Sequence, residues 1–197
     1  MARKHYFSTK QLLILSMFSG LGAVLSTYVG YLGQTFASMT GLPVSGQIFT
    51  GLHVFWVMLA LAVVDKKGAG LLTSIFDNAL QFLLGSHLGI LVLPVGLLEG
   101  IFAELGYWPL RRISRIAALL VAGGLSAWSN LLVHQVAFNR FGNAYLFGTV
   151  SLFSLTSGVF FGGLLAYYIH RILHQSGLIA DGGMPAEPPA DASASSK

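Results

Sequence analysis

The chain has 197 residues, 54% of them hydrophobic and only 9% charged, and its mean hydropathy is +0.72. No ordinary soluble domain of this length has such a composition. The net charge of +4 comes from cations in short loops beside apolar segments, which suits anionic lipid and not nucleic acid. There is no cysteine, so disulfides and thiolate ligands are excluded. These properties predict an integral membrane protein.

Six apolar stretches follow one another along the chain. They run roughly over Gln11–Gly33, Gln47–Val64, Gly68–Leu84, His87–Trp108, Ile116–Phe138 and Tyr145–Leu173. Each is apolar on every side, unlike the alternating strands of a membrane barrel, so each is predicted to be a helix. The third stretch, at about 17 residues, is at the lower limit for a crossing. The predicted fold is an all-α bundle of six transmembrane helices over residues 1–175.

Basic residues predict the orientation of the bundle, because translocation of short loops disfavours Lys and Arg. Arg140 is alone on one side of the predicted spans. The other ten are Arg3, Lys4, Lys10, Lys66, Lys67, Arg111, Arg112, Arg115, Arg171 and Lys197. A multi-pass protein of the cell membrane with both termini in the cytoplasm is therefore predicted.

Two segments lie outside the apolar stretches. Loop 34–46 is polar and uncharged, and a lid over a site or a plain connector would both fit it. Residues 176–197 are rich in Pro, Ala and Ser, so they are predicted to form a disordered cytoplasmic tail.

Common catalytic and energy-converting motifs are missing. The chain has no nucleotide-binding Gly-x-x-x-x-Gly-Lys-Ser/Thr loop, no His-Glu-x-x-His, no Gly-x-Ser-x-Gly and no arginine ladder on one span. The sequence thus predicts no enzyme, no cofactor and no metal site.

Polar side chains at membrane depth are the candidates for ligand binding. Asp77 and Glu99 are predicted near the middle of the bilayer, about ten to twelve residues from the ends of their spans. An ionised carboxylate facing lipid there would cost at least about 2.5 kcal/mol, so both should face the interior. The predicted ligand site, in a cavity open to the outside, comprises His53, Asp77, Gln81, Glu99, Asn130 and His134.

Structural alternatives exist for several of these residues. Asn130 and His134 share one helix face and could join helices by hydrogen bonds. Asp77 and His53 could form a buried structural pair. Glu104 lies near the end of its span, where an ion pair with Arg111 or Arg112 is the favoured prediction.

Small residues at four-residue spacing line one face of the first span. Such a face allows another helix to approach closely. It is predicted to be the interface with a partner subunit, although packing within the bundle would use the same pattern. Its members are Ser19, Gly22, Ala23, Ser26, Thr27 and Gly30.

Three segments resemble the substrate-binding S component of an energy-coupling factor (ECF) transporter, of the YkoE type. The first runs from Gly51-Leu52-His53 to Asp65-Lys66-Lys67-Gly68-Ala69. The others are Leu83-Leu84-Gly85-Ser86 and Gly96-Leu97-Leu98-Glu99-Gly100-Ile101-Phe102-Ala103-Glu104. The resemblance covers most of the chain. It implies uptake of a small molecule, with thiamine or its hydroxymethylpyrimidine precursor as first expectation, and partnership with a transmembrane coupling subunit and two ATPase subunits.

The chain also departs from the YkoE pattern. His53 stands where that family tends to have Trp, and Ser74 and Gln81 stand where it has Glu. Glu99 replaces a Gln, and Asp77 replaces a small residue. The carboxylates are thus relocated, and a cationic or donor-rich heterocycle would still suit such a cavity.

Two other classes of function stay open at this point. Asp77 and Glu99 could serve a proton-coupled carrier or a membrane enzyme. The chain could also be a non-transporting assembly subunit.

Overall fold

The structure, a computed structural model, describes residues 6–41, 45–138 and 143–179, which are helical apart from short turns. The α-helices in these ranges are α1 (Thr9–Thr40), α2 (Thr50–Val64), α3 (Ala69–Leu83), α4 (Val92–Arg111), α5 (Arg115–Phe138), α6 (Ala144–Ser157) and α7 (Leu165–Gln175). A π-helical segment, Gly158–Leu164, joins α6 to α7, so the three form one continuous helix. Short 3-10 turns, Ser45–Phe49 and Gly89–Leu91, precede α2 and α4.

The prediction of an all-α membrane bundle is confirmed for the described residues. Five of their helical segments are long and apolar enough to cross a membrane: Thr9–Thr40, Gln47–Val64, Gly89–Arg111, Arg115–Ala137 and Ala144–Gln175. The remaining helix, α3, has 15 residues and spans only about 22 Å at 1.5 Å per residue. It is therefore shorter than the hydrocarbon layer of about 30 Å.

Helix α2 forms the centre of the bundle. Its residues from Val57 to Val64 are all at most 3% exposed, and it packs against α1, α3, α5, α7 and the π-helical segment. From Val54 onward α2 is apolar all round, which suits a position enclosed by other helices. It ends at Asp65, which has a left-handed backbone (φ 47°).

Helix α3 is amphipathic with its polar side turned inward. Its buried residues recur every three or four positions and are mostly polar: Ala69, Gly70, Thr73, Ser74, Asp77, Asn78 and Gln81. Ile75, Phe76, Leu80 and Phe82 are exposed on the opposite side. A soluble protein would place these faces the other way round. The arrangement fits a helix with lipid outside and a polar interior.

Two predicted boundaries change. The supposed loop 34–46, predicted as a lid or a plain connector, is helical up to Thr40, where Gly41 (φ 67°) ends α1. Its last two residues begin the 3-10 turn Ser45–Phe49, and only residues 42–44 lie outside the described ranges. The predicted tail begins at 176, but Ile179 is 8% exposed and belongs to the hydrophobic core. The packed region therefore reaches 179, and 180–197 lie outside the described residues.

The basic residues of the described ranges lie at one end of the bundle: Lys10, Lys66, Lys67, Arg111, Arg112, Arg115 and Arg171. The start of α1 is held there by Lys66, whose Nζ donates to Tyr6 O (2.9 Å) and to Gln11 Oε1 (3.0 Å). Asp65 accepts hydrogen bonds from both Arg111 and Arg115. The basic loops thus converge on one face of the molecule, which we term the basic end.

Glu104 does not pair with Arg111 or Arg112, so that prediction was wrong. Its Oε1 accepts from the backbone N–H of Gly70 (2.9 Å) and Leu71 (3.4 Å), and its Oε2 accepts from Trp108 Nε1. The start of α3 has Gly68 at its N-cap and lacks a capping side chain of its own. Glu104 supplies the missing acceptor, and its charge suits the positive end of the helix dipole.

The small-residue face of α1 is packed inside the bundle, so its prediction as a partner interface was wrong. Ser19 Oγ donates to Thr73 O (3.1 Å) on α3, and a Cβ at Gly22 would lie 3.0 Å from Asp77 Oδ1. Ala23, Ser26 and Thr27 are also buried, and Gly30 adjoins the His87 ring. These residues let α1 approach α2 and α3 closely.

Candidate functional site

A polar cavity opens at the end of the bundle remote from the basic end. It lies among the second half of α1, the starts of α2 and α4, and the ends of α3 and α5. Its empty volume, which includes the open mouth and the solvent there, is about 810 Å³. The lining is Ser26, Val29, Gly30, Gly33, Gln34, Ala37, Gln47, Phe49, Thr50, His53, Asn78, Gln81, His87, Leu88, Val92, Val95, Asn130 and His134.

His53 joins this cavity to the buried carboxylates. Its Nε2 lies 2.8 Å from Glu99 Oε2, and its Nδ1 lies 3.5 Å from Gln81 Nε2 and 3.9 Å from Asp77 Oδ2. An Nε2–H that donates to Glu99 leaves Nδ1 free to accept from Gln81; a doubly protonated ring would instead face Asp77 with Nδ1–H. The imidazole thus has suitable partners in both of its protonation states.

Asp77 and Glu99 lie beneath the cavity and not in its wall. Both are 0% exposed. Among the described residues, neither oxygen of Asp77 has a hydrogen-bond partner, and Glu99 Oε1 has none either. Buried polar atoms are nearly always hydrogen-bonded, so three buried oxygens without such a partner are unusual.

Close packing brings α3 and α4 together under the cavity. A Cβ on Gly96 would lie 2.6 Å from Asn78 Nδ2, so only glycine lets the Asn78 side chain lie flat on α4. Ser74 Oγ donates to Gly96 O (2.8 Å), and Asn78 Nδ2 donates to Ser74 O (2.9 Å). These contacts fix the polar face of α3 beside Glu99.

The mouth of the cavity is bordered by the turn between α3 and α4. Gly85 (φ 81°) and Gly89 (φ 56°) have left-handed backbones that shape this turn, and it carries His87 into the lining. Tyr31 OH donates to Gly85 O (2.6 Å), and the Tyr31 and His87 rings lie 5.9 Å apart. Helix α1 and the turn therefore hold this rim together.

The structure brings the six residues of the predicted ligand site together. His53, Gln81, Asn130 and His134 line the cavity, and Asp77 and Glu99 contact it through His53. Sequence reasoning omitted Gln34, Gln47 and His87, because it assigned them to loops or to the edge of a span. It also assigned Ser26 to a partner interface. The sequence feature that could have identified these positions is an uncharged polar residue close to the end of a predicted span.

The cavity can recognise a ligand by amide and imidazole hydrogen bonds set among apolar walls. Glutamine and asparagine amides both donate and accept, so they can read the edge of a heterocycle. No group of three or more His, Cys, Asp or Glu residues in the described part of the chain is placed to hold a metal ion.

The fold is that of a membrane-embedded S component. A solved structure described as "Crystal structure of an S-component of ECF transporter" superposes with a TM-score of 0.79, covering 90% of each chain at 24% identity. The predicted resemblance to a YkoE-like S component is confirmed.

Residues 10–129, more than half of the chain, match the family described as "ABC-type cobalt transport system, permease component", and the chain belongs to that family. It is also similar to the "Putative HMP/thiamine permease protein YkoE" of Bacillus subtilis (strain 168). The two are 23% identical over 176 residues, which cover 88% of this chain and 87% of that protein.

Proposed function

We propose that this chain is the substrate-binding subunit of an ECF-type vitamin transporter, with thiamine or hydroxymethylpyrimidine as its ligand. The observation that carries the proposal is the polar cavity within an S-component fold. Its lining has eight amide and imidazole side chains: Gln34, Gln47, His53, Asn78, Gln81, His87, Asn130 and His134. The similarity to a protein named for thiamine and hydroxymethylpyrimidine supports the choice of ligand.

The roles of the side chains follow from their positions. Gln81 of α3 and Asn130 of α5, which both line the cavity, bind the edge of an aminopyrimidine, and His53 forms the floor beneath it. Glu99 holds the His53 ring in place through its 2.8 Å contact, a hydrogen bond that is charge-assisted when Glu99 is ionised. Because no bond of the ligand is broken, the protein needs no catalytic residue.

The cavity faces the outside of the cell and the basic end faces the cytoplasm, with both chain termini on the cytoplasmic side. The positive-inside rule supports this orientation, because the basic loops gather at the end opposite the cavity. A transmembrane coupling subunit and two ATPase subunits then drive release of the ligand inside.

Calorimetric titration of the purified chain with thiamine and with hydroxymethylpyrimidine tests the proposal. We expect saturable binding of at least one ligand, and loss of binding in His53→Ala. Mass spectrometry of the gently purified protein should find the same ligand. Failure of both compounds to bind would contradict the ligand assignment.

Transport separates this function from its alternatives. Proteoliposomes with the chain alone should bind the ligand and not accumulate it, whereas addition of the coupling and ATPase subunits should give uptake that requires ATP. Uptake by the chain alone under a pH gradient would instead indicate a proton-coupled carrier.

A further inference from the structure

The buried group of Asp77, His53 and Glu99 has an unbalanced charge. Both carboxylates are 0% exposed, and His53 is the cationic partner that the structure places beside them. One imidazolium can neutralise one carboxylate. A second buried anion without a partner would be strongly destabilised.

Within the described ranges, the surroundings of Asp77 supply no Lys or Arg. Toward α1 it faces Gly22, toward α2 it faces His53, and toward α4 the nearby ionisable group is Glu99. His134 of α5 and His87 of the turn after α3 line the cavity above. Glu104 binds the start of α3 near the basic end. The charge of Asp77 must therefore be removed by a proton or matched by a ligand.

We propose that Asp77 makes this site select a cationic ligand. In the ligand-free protein, the group of Asp77, His53 and Glu99 holds a proton in addition to the one on His53, and a cationic ligand displaces that proton. The inference rests on the proposed function. The two protons are shared among three coupled groups. The geometry therefore defines how many protons the three groups hold together, and not which group holds each proton. With both present the group is neutral. After loss of one proton, its single negative charge balances a monocation in the cavity.

His53 provides the route between cavity and carboxylate. Its Nδ1 lies between Gln81 Nε2, at 3.5 Å, and Asp77 Oδ2, at 3.9 Å. A small rotation of the ring exchanges one partner for the other. The charge of a ligand above His53 thus acts on Asp77 through the imidazole, and Asp77 is a positioning residue that does not touch the ligand.

Thiamine and hydroxymethylpyrimidine form a matched pair of probes, because thiamine carries a fixed positive charge and the free pyrimidine is neutral at pH 7. Titration in buffers of different ionisation enthalpy counts the protons exchanged. We expect thiamine to release about one proton and to bind up to about tenfold more tightly per unit rise in pH. The neutral pyrimidine should release none. Equal proton counts for the two probes would overturn the proposal.

Asp77→Asn should weaken thiamine binding about tenfold or more, abolish its proton release and leave binding of the neutral pyrimidine nearly unchanged. Retained pyrimidine binding shows that the variant is folded. An equal loss for both probes would make Asp77 merely structural and overturn the proposal.

Infrared spectroscopy tests for the extra proton in the ligand-free protein. The carbonyl stretch of a protonated carboxylic acid should be present in the ligand-free protein and disappear in Asp77→Asn or in Glu99→Gln. Glu104→Gln, a change of the same type outside the cavity, should leave it unchanged. Absence of this band would refute the extra proton even if both probes bind. Failure of both probes to bind with the band present would refute the ligand assignment alone.

Discussion

Glu99 and Glu104 lie on the same helix, α4, yet their neighbours give them different functions. Glu99 contacts His53 at the floor of the cavity, whereas Glu104 accepts hydrogen bonds from the first turn of α3. The first should govern ligand affinity and the second stability. The same substitution at each position separates the two effects.

Glu99→Gln should weaken thiamine binding by about 1.5–3 kcal/mol, or ten- to hundredfold, because a charge-assisted hydrogen bond to His53 is lost. The variant keeps the shape and volume of the side chain. Calorimetric titration measures the change. Unchanged affinity would remove Glu99 from the site.

Glu104→Gln should lower the free energy of unfolding by about 1 kcal/mol, since the neutral side chain is a weaker acceptor for the α3 N-terminus. Thermal unfolding in detergent reports this loss. Ligand affinity should not change. A variant as stable as the parent would show that the acceptor is dispensable.

At the scale of helices, the contact of α1 with α2 and α3 depends on Gly22, for which Gly20 is a matched control. A Cβ on Gly22 would lie 3.0 Å from Asp77 Oδ1 and 3.2 Å from Trp56 Cβ, whereas a Cβ on Gly20 meets nothing within 4 Å. Gly22→Leu should therefore destabilise the bundle by about 1–3 kcal/mol through overpacking, and Gly20→Leu should not. Melting temperatures of the two variants measure the difference. Equal values would contradict the packed position of this face.

Asp65 joins the end of α2 to α4 and α5, and its electrostatics make this junction sensitive to acid. Burial alone would raise the pKa of Asp65, but hydrogen bonds from Arg111 and Tyr107, together with the charges of Arg111 and Arg115, hold it below its ordinary value near 3.8. A lowered pKa in the folded state stabilises the protein above the unfolded-state pKa. This stabilisation is lost as the pH falls through the folded-state pKa.

Asp65→Asn should therefore destabilise the protein at neutral pH, and its stability should fall less steeply than that of the parent below about pH 4. Unfolding curves of both proteins across this range give the comparison. Parallel pH profiles would mean that Asp65 does not contribute to acid sensitivity.

For the whole molecule, local sequence patterns predicted the helices. The partner of each helix and part of the cavity lining depend instead on contacts between distant segments of the chain. Apolar stretches predicted the helices, and the cost of burying charge placed Asp77 and Glu99 inside. Spacing on α1 predicted a close helix contact but could not identify the helix that fills it, because packing within and between subunits obeys the same rule. The role of Glu104 as a cap of α3 could not be predicted from the sequence, because it depends on the end of α4 meeting the start of α3. The position of His87 in the cavity lining could not be predicted either, because it depends on the backbone path of the turn at Gly85 and Gly89.

The orientation of the whole bundle can be tested by labelling, since the chain has no cysteine of its own. Met39 is 80% exposed near the cavity end of α1, and Lys67 is exposed at the basic end. If the basic loops are cytoplasmic, a membrane-impermeant thiol reagent should label Met39→Cys in intact cells and Lys67→Cys only after lysis. Gln34→Cys, in the cavity wall, should react from outside and be protected by thiamine. The reverse labelling pattern would place the cavity on the cytoplasmic side, where it could not capture a ligand for import.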